Sequence, residues 1–142
     1  MNNAVQILRA SHLRLTGCRR EIIDTFLAKK HAICHAEIEQ ALPLYDRVTL
    51  YRTLNTFLEK GIIHKIIDDK GTPKYAICQH CTEQAHYDEH IHFKCIECDL
   101  LKCIASVTIP PIHLPEGYQY IDSSFLVRGI CKQCQIFKKE NK

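Results

Sequence analysis

The chain lacks any apolar run approaching the roughly 18 residues that a membrane-spanning helix needs, so no membrane insertion is expected. Its first residues, Met1 to Ala10, lack the basic start, long apolar core and small-residue cleavage site of a secretory signal. Internal repeats and low-complexity tracts are also missing, which excludes solenoids and biased linkers. Neither sign of charge dominates, with 19 Lys+Arg against 16 Asp+Glu. At 46% hydrophobic and 25% charged, the composition is that of a globular rather than a disordered chain. With no export signal the expected location is the cytoplasm, where disulfide frameworks are rare.

What is present in excess is metal-ligand chemistry. Nine Cys and nine His stand in 142 residues, and an odd number of thiols cannot all pair. Metal binding is therefore the first expectation. The length suits one ordinary domain or two small lobes. The composition favours two, because residues 1–77 carry a net charge of +4 and residues 78–142 a net charge of −1. Of the 18 thiols and imidazoles, 12 lie in residues 78–142. A mildly basic, metal-poor front suggests an anionic partner, although a solvated face has the same charge.

The front reads as three helices and a hairpin. Thr16 caps a helix to about Lys30 whose stripe is Ile22, Ile23, Phe26 and Leu27. A short helix from about Cys34 to Leu42 turns Ile38, Ala41 and Leu42 inward and stops at Pro43. Asp46 caps a third helix to Lys60, ended by Gly61, with Leu50, Leu54, Phe57 and Leu58 on one face. Ile62–Ile67 and Pro73–Cys78 are strands around the turn Asp68-Asp69-Lys70-Gly71. This is the order of a winged helix-turn-helix, whose third helix enters the DNA major groove. Arg52 can fork a guanine, while Thr49 and Thr56 lie on the same polar face and Tyr51 at its edge. Arg14, Arg19 and Arg20 suit phosphates or a narrow minor groove. An ordinary solvated helix face would have the same pattern.

The back is organised around thiols. Cys95-x-x-Cys98 and Cys131-x-x-Cys134 are two knuckles that together make a closed four-sulfur zinc site. The long gap between them must contain a strand or two. Each follows a strand-like stretch, Ile91–Lys94 and Ser124–Ile130, and no helix period follows either, which disfavours a redox pair. His90 and His92 alternate on one side of a strand, as two ligands of one metal do. Cys78, His86 and Cys103 are further candidates, and His80, Cys81 and His113 have no assigned role.

Two enzyme readings fail or weaken on inspection. His86-x-x-Glu89-His90 matches an inverted zinc-peptidase motif, but it runs into a strand where that motif needs a helix. A zinc deaminase needs Pro before its knuckle, and here Lys94 and Ile130 stand there.

Leu13-Arg14-Leu15-Thr16-x-x-Arg19, Val48-Thr49-Leu50-Tyr51-Arg52-Thr53-Leu54, His90-x-His92-x-x-Cys95-x-x-Cys98 and Cys131-x-x-Cys134, in that order, resemble the ferric uptake regulator family. The resemblance implies an α+β fold: an N-terminal winged helix-turn-helix followed by a small α/β dimerisation lobe stapled by a four-Cys zinc site. The corresponding division is 1–77 for DNA binding, 78–89 as hinge and 90–142 for metal binding and dimerisation. It implies a cytoplasmic homodimeric repressor on palindromic double-stranded DNA, with no membrane and no small organic substrate. It further implies DNA contact by Arg14, Tyr51 and Arg52, and structural zinc on Cys95, Cys98, Cys131 and Cys134.

The family's sensing site draws one ligand from before the second helix, one from the last wing strand, two from H-x-H and one from five residues past the first knuckle. His90 and His92 match, and Cys103 stands where iron and peroxide sensors carry a carboxylate. Ala76 occupies the wing position, with Cys78 two residues on, and Ala32 stands before the second helix, next to His31. Cys34 and His35 are weaker substitutes. A regulatory set of Cys78, His90, His92 and Cys103, with His31 as a further candidate, is soft and favours zinc over iron. Alternatives are an iron- or peroxide-responsive member, a constitutive zinc-stabilised DNA-binding protein and, more remotely, a zinc hydrolase. Pro110, Pro111 and Pro115 forbid the long helix the family usually places after Cys103.

Overall fold

In the computed structural model, which describes residues 3–67, 69–77, 91–104, 107, 109–121, 123 and 125–140, the helices of the front half begin where the sequence supplies caps. Thr16 accepts a hydrogen bond from the Arg19 amide at 3.2 Å and opens α2 (Gly17–Lys29). Cys34 precedes α3 (His35–Ala41), and its amide donates to the Glu37 carboxylate at 3.3 Å. Asp46 accepts from the Thr49 amide at 3.2 Å and opens α4 (Arg47–Glu59). After α4, Gly61 takes a φ of 73°, a left-handed turn that a side chain would strain, and the chain enters β1 (Ile63–Ile67). Antiparallel β2 (Pro73–Ile77) completes the hairpin, in register from Ile63↔Ile77 to Ile67↔Pro73. Ile33 adds a short bridge to Tyr75 through both backbone hydrogen bonds.

Leu50, Leu54 and Phe57 of α4 are buried against Ile22, Ile23 and Phe26 of α2 and Ile38 of α3. The expected stripes are thus the core of a winged helix-turn-helix. Ala41 is a correction, since it is exposed and Ile38 alone anchors α3. A second correction is an additional helix, α1 (Asn3–Ala10), which packs Ala4 and Leu8 on the same core. A helix of this length is marginal alone, and two buried side chains make too short a period to read. His12, at φ 57°, turns the chain out of it.

The chain divides into two compact units, Met1–His86 and Tyr87–Lys142. The hinge read at 78–89 and the H-x-x-E-H motif lie outside the described residues, as do Cys78, His80, Cys81, His86 and His90. In the second unit β3 (Ile91–Cys95) is the central strand, antiparallel to β4 (Leu101–Ile104) and parallel to β5 (Phe125–Gly129). At Gly129 the backbone approaches the Phe93 ring closely, and a Cβ there would stand 3.0 Å from it, so the ring would have to shift. Among the described residues between β4 and β5 no helix forms, as the three prolines demand. The last described element is α5 (Lys132–Glu140), a helix that the sequence reading omits. It buries none of its residues. Among the described residues no helix is long and apolar enough to cross a membrane.

Candidate metal centres and nucleic-acid interface

The turn after β3 carries Cys95 and Cys98, and the start of α5 carries Cys131 and Cys134. Asp99, at φ 62°, closes the first knuckle by donating its amide to the Cys95 carbonyl at 3.0 Å. The Ile96 amide reaches the Gly129 carbonyl at 2.8 Å, which brings the two knuckles together. All four sulfurs fall within 4.8 Å of one another, and the four cysteines are free. Zinc–sulfur bonds of about 2.3 Å in a tetrahedron set sulfurs about 3.8 Å apart. The Cys98 and Cys131 sulfurs are 3.8 Å apart.

The protons are arranged for a cation. Burial opposes ionisation of Cys95, but amide donors from Cys131, Cys98 and Glu97 outweigh it and hold the thiol down at about 6. The Cys131 amide is 3.3 Å from that sulfur. Cys134 is pushed up to about 12, chiefly by its hydrogen bond with Cys131 and then by burial. Amide donors thus favour the ionised form at Cys95, and the shared thiol hydrogen bonds disfavour it at Cys134. A redox pair needs no convergence of four thiols. That convergence, rather than a missing helix after the second knuckle, argues for zinc. Lys138 of α5 donates to Glu97 at 2.7 Å across the knuckles.

A second group lies on the sheet of the same unit. His92 on β3 stands directly opposite Cys103 on β4, so both side chains leave one face. Their ligand atoms lie within 4.8 Å, with His92 buried and Cys103 half-buried. In the first unit the His31 ring uses Nδ1 on the Ala32 carbonyl at 3.0 Å, which leaves Nε2 for another partner. His113 is exposed and joins neither group.

Sequence reasoning missed His64. It is 2% exposed on β1 and pairs directly with Ala76, the position where the family resemblance places a wing ligand. Opposed residues of an antiparallel pair share a face. His64 therefore presents an imidazole on the face where Ala76 offers no ligand. The only sequence signal was one His inside an apolar strand, and cross-strand register is not readable from one strand alone.

On α4 the face opposite the core carries Thr49, Arg52 and Tyr51, all exposed, while Thr56 is half-buried. The Thr56 hydroxyl donates to the Arg52 carbonyl at 3.1 Å. The Arg19 guanidinium donates to the Arg14 carbonyl at 2.8 Å, so it also shapes the segment that presents Arg14. Tyr45 donates to Glu21 and ties the loop before α4 to α2. The His35 ring packs against Tyr51 at 5.7 Å between centroids and meets Glu39 at 2.8 Å. Glu39 is also forked by Arg47, which holds its carboxyl below the usual carboxylate range.

The Asp46 carboxyl is lowered from 3.8 by its bonds to Thr49. A depressed carboxyl stabilises the folded state above its unfolded pKa and loses that contribution as pH falls through the folded value. The start of α4 should accordingly fray on acidification below 3.8. Amide exchange at Thr49 and Leu50 measures this, and Asp46→Asn, which caps without titrating, should flatten the acid dependence.

Known proteins match along most of the chain. The model of the ferric uptake regulator family matches residues 10–113. A ferric uptake regulation protein of Staphylococcus aureus is 31% identical over 94% of this chain and 97% of its own length. One from Neisseria meningitidis is 27% identical over 94% of each. Among solved structures, a zinc uptake regulator complexed with zinc and DNA aligns at a TM-score of 0.67 with 22% identity, covering 96% of this chain and 93% of that one. A zinc-bound manganese uptake regulator aligns at 0.60 with 16% identity, covering 90% and 98%. The ferric uptake regulator from Francisella tularensis with iron aligns at 0.55 with 22% identity, covering 87% and 95%. At these identities the structures establish the fold, and zinc, manganese and iron regulators all share it.

Proposed function

Because this chain belongs to the ferric uptake regulator family, we propose that it is the zinc-responsive kind of regulator, repressing transcription from palindromic operators as a homodimer. Membership makes it a metal-responsive, DNA-binding transcriptional regulator and not an enzyme. The choice of metal rests on one observation. Facing His92 across β3 and β4 is the thiol of Cys103, where a sensor of iron would present a carboxylate. A thiolate with imidazoles suits tetrahedral zinc better than iron(II).

The four knuckle cysteines would hold a structural zinc, and the regulatory ion would take Cys78, His90, His92 and Cys103. His31 is the candidate for a further donor. When bound, the regulatory ion supplies a fixed charge and geometry that these donors would otherwise lack. Arg14, Arg19, Thr49, Tyr51, Arg52 and Thr56 would meet DNA, the arginines chiefly at phosphates or guanine and Tyr51 through its exposed ring. Val107, Ile112, Tyr118, Ile121 and Val127 are exposed apolar residues of the second unit, which supports its being covered by a second copy.

The test is metal content per chain before and after mild chelation, with DNA binding measured in both states. One retained zinc and one exchangeable ion are expected, and stripping the second should weaken operator binding by about 5- to 150-fold. Affinity that ignores the exchangeable ion would identify a constitutive zinc-stabilised binder. Recovery with iron(II) but not zinc would place the protein with the iron-responsive members.

A further inference from the structure

The start of α4 carries a cation that neither the sequence motifs nor the family resemblance brought into the DNA-reading set. Arg47 is the first residue of that helix, and its side chain is 80% exposed. Its Nε donates to Glu39 Oε1 at 2.9 Å and its Nη2 to Glu39 Oε2 at 3.5 Å, a two-point grip from α3 onto α4. The same Glu39 oxygen meets His35 Nδ1 at 2.8 Å, so the carboxylate is itself held from a second side. A guanidinium gripped along its Nε–Nη2 edge keeps the Nη1–Nη2 edge for another planar acceptor.

The surroundings indicate which acceptor. Between α3, α4 and the hairpin lies an open cleft of about 770 Å³, with Arg47, Arg52 and Lys65 around largely apolar walls that include Tyr51 and Tyr75. Three cations outnumber the single carboxylate there, which suits a phosphate of a duplex read by α4. A carboxylate at this place repels phosphates, and an exposed ion pair adds little stability. Its effect is therefore on orientation: an unheld Arg47 would follow any phosphate, whereas a held one meets a phosphate in one register.

We propose that Arg47 is a phosphate anchor for operator DNA and that Glu39 is its positioning residue, acting on DNA only through Arg47. This rests on the DNA-binding reading above. The experiment uses the zinc-loaded full chain and a duplex that the wild type selects from a randomised library, against a scrambled duplex, over a series of salt concentrations. Arg47→Ala should reduce the slope of log affinity against log salt by about 1 and weaken the selected duplex more than the scrambled one, because the oriented contact is lost with the side chain. Glu39→Ala should lower discrimination between the duplexes about fivefold, the effect expected of a well-oriented exposed pair. The double variant should behave as Arg47→Ala alone, because Glu39 has then nothing to orient.

An unchanged salt slope in Arg47→Ala overturns the anchor. Unchanged discrimination in Glu39→Ala, or the same loss with and without Arg47, overturns the positioning role. A wild type that selects no duplex overturns the DNA-binding reading and this one with it. Selection by the wild type with additive variants overturns this one alone.

Discussion

Cys95→Ser is expected to unfold the second unit while leaving the first folded. Among the described residues of that unit, Cys95 and Leu101 are the only fully buried hydrophobics. Burying a side chain the size of Leu101 contributes about 1.5–3 kcal/mol. A structural zinc in a small Cys-rich module contributes about 10–16 kcal/mol of apparent folding free energy. With zinc on the four sulfurs, as proposed, the metal term is several times the packing term, and removing one sulfur removes the main stabilising contribution. Helix α5 should be lost first, because it buries no residue and is tied through the knuckle and the Lys138–Glu97 pair. Hydrogen exchange resolved by segment checks this. Amides of β3, β4 and β5 should lose protection in Cys95→Ser and in the chelated wild type, while those of α2 and α4 keep theirs. Protection retained throughout β3 would mean that the four sulfurs do not hold the fold.

Phe57→Ala should give the largest loss in the first unit, about 3–5 kcal/mol. The ring is fully buried in the cluster that joins α2, α3 and α4. Domains of this size hold about 5–15 kcal/mol in total, so the variant would be marginal at best. The consequence extends to function, since the face that presents Tyr51 and Arg52 is oriented by the opposite face of the same helix. Urea unfolding followed by helix content should show a lower midpoint with an unchanged slope. Operator binding should fall in step with the folded fraction. A loss under 1 kcal/mol would mean that the cluster collapses around the cavity, as loosely packed sites do.

Much of the first unit was legible because its signals are local. Thr16 and Asp46 cap helices through bonds to residues three positions on, and the stripe Leu50, Leu54, Phe57 spans two turns. Such contacts follow from helical geometry alone. Helix α1 was not legible, because eight residues with two buried side chains fold only against a partner. Nor was α5 read from the sequence, since its nine residues are few for a helical pattern and none of them is buried. The knuckles were readable as pairs from spacing. That the two pairs converge depended on β5 returning parallel to β3, which no local pattern states.

The sequence by itself determined the donor types, the caps, the apolar stripes and the presence of a thiol at position 103, because each is a property of one residue or of neighbours along one helix or strand. Tertiary structure alone decided that His92 faces Cys103, that His64 faces Ala76 and that Glu39 grips Arg47. These pairings join residues on different elements. Their distances depend on strand register and helix packing, which the burial of all the stripes together sets.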